Sequence, residues 1–171
     1  MPTKRTVTAV VIFVGVVVGI AEIVGFAQRG SSNSAVIGVL RVAEETTTGP
    51  NGRKNTNPQP SVRIFTQRYY SIDEVTSDAP RPELPPQGKA TDKQVAEAFG
   101  PFTGQAGTYE IKGNELTTKR IAAKNPGTMR SGTFTTVTFR MEGKDTLWTT
   151  TKADQDGPIK NPTTTKLTRL E

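Results

Sequence analysis

The chain contains no cysteine and no histidine. The first absence excludes disulfides, and with them the thiol that a bacterial lipoprotein carries at its cleavage site. The second removes the commonest general base and the commonest zinc ligand. Any chemistry must therefore fall to carboxylates, Tyr, Lys, Arg, Ser or Thr, and no metal or cofactor is expected. Aromatic residues are only 6% of the sequence, with a single tryptophan. Long apolar runs are confined to one stretch near the N-terminus.

That stretch has an order of its own. Lys4 and Arg5 make a short positive start, Val7 to Ile20 an apolar run, and Gly25-Phe26-Ala27 a small-x-small exit before Gln28. This is the grammar of a secretory signal peptide, so residues 1–27 are expected to be removed and the protein exported, to the periplasm or outside the cell. The alternative is a membrane tether through residues 6–27. The uncharged run from Thr6 to Ala21 is shorter than the ~20 residues a spanning helix needs, and Glu22 interrupts its continuation. A membrane is expected as a partner only if the leader is retained. Residues 28–34 (QRGSSNS) read as a spacer, and residues 35–171 as one domain.

The formal net charge is +6. Basic residues are scattered singly, as at Arg63, Lys112, Lys119, Lys152 and Lys166, rather than gathered in a stripe with stacking aromatics. They read as solvated strand faces, and no nucleic-acid partner is expected.

What the chain does have is threonine. Thirteen threonines lie between Thr128 and Thr168, and this β-branched residue is poor in helices and at ease on a pleated surface. Runs of such residues broken at hairpin spacing by Gly, Asn and Asp predict an antiparallel meander. Residues 35–46 form the first strand, 49–60 a long loop, and 61–75 a hairpin turning near Gln67 and Arg68. Residues 76–87 carry four prolines and cannot be a central strand. Thr91 then offers a capped start to a short helix stopped at Gly100-Pro101. Strands follow over 107–112, 115–123, 133–142, 145–152 and 163–171. Lys124-Asn125-Pro126 and Lys160-Asn161-Pro162 mark turns.

Eight strands joined in sequence would leave two raw edges in an open sheet, and closure removes them. The fold class is therefore all-β: an eight-stranded up-and-down barrel with one short helix and a proline-rich insertion between strands three and four. A sandwich of the same strands is the alternative. An outer-membrane barrel would need an apolar outer band and aromatic girdles, which strands bearing Lys or Arg on nearly every segment lack.

The segment from Gly88 to Gly127 (GKATDKQVAEAFGPFTGQAGTYEIKGNELTTKRIAAKNPG) and the closing GPIKNPTTTKLTRLE resemble the lipocalin-like domain proteins of bacteria, which are small exported β-barrels. The resemblance covers residues 35–171. Lipocalins proper open with Gly-x-Trp; the matching positions here are Gly38, Val39 and Leu40, so Leu40 would stand at the barrel floor in place of the Trp.

A barrel of this size holds either side chains or one small ligand. Candidate ligand-binding residues are the aromatics Phe65, Tyr70, Tyr109, Phe139 and Trp148, with Arg120 and Arg140 to hold an anionic group by a bidentate pair. The aromatics alternatively fill the core, and the arginines alternatively face water. The expected partner is thus a small hydrophobic or anionic molecule. A partner-binding or structural barrel without a ligand would use the proline-rich insertion as its contact surface. A carboxylate-based isomerase or cyclase would need an enclosed acid, for which Glu44 and Glu110 are the candidates; no spacing marks either as catalytic.

Overall fold

The computed structural model describes residues 35–171; the expected signal segment and spacer lie outside the described residues. Ten strands and one α-helix follow in the order β1 (Gly38–Thr47), β2 (Arg53–Asn55), β3 (Ser61–Phe65), β4 (Tyr69–Val75), α1 (Asp92–Phe99), β5 (Phe102–Lys112), β6 (Glu115–Ala123), β7 (Phe134–Glu142), β8 (Thr146–Asp154), β9 (Gly157–Pro158) and β10 (Thr163–Arg169). Eight of the strands close an antiparallel barrel, in the order β1-β3-β4-β5-β6-β7-β8-β10 and back to β1. β2 extends the far end of β1, and β9 folds back on β8.

Most strand boundaries agree with the sequence reading, with two informative departures. β5 begins at Phe102 rather than near Gly107, because Phe102 to Ala106 pairs residue for residue with Ser71 to Val75 of β4. Gly104 inside that run is no breaker once both neighbours supply ladder partners. The 49–60 loop contains β2, three residues that add a partial third partner to β1.

Three bulges set which side chains face inward. On β1 the register shifts between Val42 and Glu44, so Leu40 and Val42 point into the barrel and, past the shift, Glu45 and Thr47 do so in place of Glu44. On β6 the extra residue is Ile121, opposite the Ala106/Gly107 step of β5, and it is thrown outward to 65% exposure. Gly107 sits where any Cβ would lie 1.9 Å from the Lys119 carbonyl oxygen, so only glycine permits the two strands to close at this bulge. The third lies on β8, where Lys152 is the extra residue opposite the Thr136/Val137 step of β7.

The core fills one end of the barrel. Val36, Leu40, Phe65, Tyr70, Tyr109, Leu116, Leu147 and Leu167 are buried together. Val36, Leu147 and Leu167 have no exposed surface at all, and Leu40 is only 1% exposed. Phe65 meets Tyr109 edge-on, with ring centroids 5.5 Å apart, and Tyr70 at 6.3 Å. Arg169 ties this floor shut by donating to the carbonyls of Ile37 and Ala35, the latter at 3.0 Å.

The insertion lies at the opposite end, the mouth. Helix α1 opens with a reciprocal capping box: the Thr91 hydroxyl accepts from the Gln94 backbone, and the Gln94 side chain accepts from the Thr91 backbone. At its other end Lys124 donates to the carbonyls of Phe99, Gly100 and Phe102, placing a cation at the negative end of the helix. No helix among the described residues is long and apolar enough to cross a membrane.

Candidate functional site

Alternation along seven neighbouring strands carries a mixed set of side chains into the barrel between floor and mouth. They enclose a cavity of about 170 Å³. Its apolar wall is Phe65, Ile72, Leu116, Val137, Leu147 and Leu167; a belt of hydroxyls comes from Thr103, Thr118, Thr135, Thr149 and Thr151. Threonine in this belt explains why the interior is hollow: its side chain is shorter than the Leu or Phe that would fill the same space.

Two arginines enter the cavity, and their surroundings differ. Arg63 on β3 donates from Nε to Glu74 Oε1 on the adjacent β4 at 2.5 Å, both side chains being about 15% exposed. That charge is compensated within the barrel. Arg120 on β6 is held by neutral groups: Nε donates to the Gln105 side chain on β5, and Nη2 to the Thr135 hydroxyl at 2.9 Å. Among the described residues no carboxylate lies within salt-bridge distance of it. Tyr70 on β4 lies across Gly107 of the intervening β5 from Arg120, outside the cavity lining, and its hydroxyl is buried and makes no hydrogen bond of acceptable geometry. The Thr118 hydroxyl stands close by and, with the Arg120 charge, favours the phenolate, but burial outweighs both and raises the Tyr70 pKa above the usual value. Tyr70 therefore stays protonated and keeps a proton to donate. Burial also raises the Tyr109 pKa; its hydroxyl donates to the Thr66 carbonyl at 2.5 Å.

Nearer the mouth, Glu45, Glu74, Ser61, Thr47 and Thr163 line a second, more polar pocket of about 200 Å³. Glu74 belongs to both spaces. The Glu45 carboxyl is pushed above its ordinary range, first by burial and then by the charge of Glu74; Arg63 and Arg53 oppose this, and Asp78 adds to it. Sequence reasoning did not single out Glu45, since strict alternation from Leu40 and Val42 puts Glu44 inside.

The seven residues chosen from sequence separate into two groups. Phe65, Tyr70 and Tyr109 come together at the floor, Phe139 packs against the same core, and Arg120 lines the cavity. Arg140 and Trp148 lie together on the outer wall, the guanidinium 4.9 Å from the ring centroid and Lys166 at 5.4 Å on the next strand. The Trp148 indole N–H donates to Glu142 at 2.5 Å. The carboxylates considered for acid–base work also face outward. Glu44 pairs with Lys54 at 3.0 Å, and Glu110, 62% exposed, stands 3.7 Å from Lys119. Among the described residues no three carboxylates gather as a metal site.

Outside the barrel, the proline-rich segment and α1 leave an open groove of about 450 Å³ between Pro80, Pro82, Leu84, Val75 and Phe99. No protein-family model matches the chain, and no curated protein matches its sequence at a significant level.

Proposed function

We propose that this protein is an exported, lipocalin-like carrier that holds one small apolar or amphipathic molecule inside its barrel. The observation that carries the reading is the interior cavity: eight strands enclose apolar walls and hydroxyls around unfilled space, where a purely structural barrel of this size would be packed with side chains. The export half of the proposal rests on the positive, apolar and small-residue order of residues 1–27. An enzymatic reading has less support, because Glu44 and Glu110 sit in water-facing ion pairs.

Native mass spectrometry of the freshly purified protein is the test. A bound small molecule of reproducible mass is expected, and it should disappear in Thr149→Phe, which places a ring in the cavity. Absence of any adduct, together with failure of every apolar or amphipathic probe to bind, would defeat carriage. The partner-binding reading would then stand, since the groove between the proline-rich segment and α1 exposes Leu84 and Phe99 at 39% and 48%.

A further inference from the structure

The two interior arginines constrain what the cavity can hold. Arg63 brings its own counter-ion, Glu74. Arg120 does not: its Nε and Nη2 are occupied by neutral acceptors, and Nη1 has no hydrogen-bond partner among the described residues. A guanidinium carries five donors and stays charged at all accessible pH. It lines the cavity, yet no carboxylate of the described residues neutralises it there. An oxyanion entering the cavity would accept from Arg120 Nη1 and supply the missing counter-charge.

Size narrows the class further. The cavity of about 170 Å³ is comparable to an apolar protein cavity of roughly 150 Å³ that takes up benzene. It is too small for a retinoid or a long acyl chain lying wholly inside. Resting on the carrier reading above, we infer that the cavity is a receptor for a compact monocarboxylate, aromatic or branched, with its carboxylate on Arg120 and its hydrocarbon against Phe65, Ile72, Leu116 and Val137.

Benzoate, benzyl alcohol and dodecanoate test this by calorimetric titration into the full-length chain at neutral pH. Benzoate should bind, benzyl alcohol about 10- to 100-fold more weakly, as for loss of a charge-assisted hydrogen bond, and dodecanoate more weakly than benzoate. Arg120→Met should remove the preference for the acid, bringing benzoate level with benzyl alcohol. Arg120→Lys, which keeps the charge and loses the planar fork, supplies a second reading should that variant fail to fold: benzoate should weaken several-fold and benzyl alcohol less. Benzyl alcohol binding as well as benzoate, with neither variant altering the ratio, would overturn the anion assignment and leave the carrier reading intact. Dodecanoate binding tightest would overturn the size assignment. Failure of all three probes would overturn the carboxylate assignment, while the adduct sought by native mass spectrometry decides carriage separately.

Discussion

Glu45 shows how one residue can make the stability of this protein depend on pH. Its folded-state pKa lies above the ordinary 4.5, with burial the largest cause. The folded protein therefore holds the Glu45 proton more tightly than the unfolded chain does. The favourable contribution is complete below about the ordinary value and is lost as pH rises through the folded one. Glu45→Gln, which stays neutral, should raise the melting temperature at pH 7 and leave it unchanged well below the ordinary carboxylate range. Thermal melts of both proteins across that interval check the sign; a lower melting temperature for the variant at pH 7 would contradict it. Residue-level readings were only partly legible in the sequence. Arg120 and Arg140 stand in similar surroundings, each with Thr two positions before it. One faces Gln105 and Thr135 inside, and the other stacks on Trp148 outside. Threonine suits both faces of a sheet, so the alternation that normally separates inside from outside carries little signal here.

At the scale of elements the sequence said far more. β6 runs over the residues expected for it, Glu115–Ala123, because the turn at Gly113-Asn114 and the Lys124-Asn125-Pro126 stop are local chemistry. Short β2 and the early start of β5 were not legible, since both depend on a partner strand distant in sequence. The glutamate exchange at the β1 bulge was missed for the same reason: a bulge is a property of a pair of strands. Helix α1, by contrast, is specified by its own ends. Eight residues are marginal for an isolated helix, so its cap counts for more than usual. Thr91→Ala should cost the helix about 1 kcal/mol. Because the barrel does not depend on α1 for closure, the loss is expected as faster amide exchange confined to residues 92–99, with the main unfolding transition almost unmoved. A large fall in that transition would mean that the helix is structurally tied to the barrel.

For the molecule as a whole, closure is the controlling fact. β10 lies between β1 and β8 and contributes Thr165 and Leu167 to the interior. Removing residues 163–171 would expose both neighbouring edges and open the cavity wall. The truncated chain is expected to lose cooperative thermal unfolding altogether, since deletion of a fully paired, core-bearing strand exceeds the total stability of roughly 5–15 kcal/mol typical of a domain. Circular dichroism and a melting scan of the truncated protein decide it; retention of a sharp transition would show that seven strands hold the fold.

The seam between β1 and β10 also has a consequence in time. Its members stand far apart in the chain: Thr47 and Thr163, whose hydroxyls meet at 3.0 Å, are separated by 116 residues. Every other wall of the barrel joins near neighbours in sequence, or strands parted by one insertion. Hairpins can therefore form early and locally, while the ring waits on the contact with the greatest loop-closure entropy. Until the last strand arrives, β1 and β8 present unpaired edges to other molecules, and a ribosome would have to release the residues through Arg169 before that hazard ends.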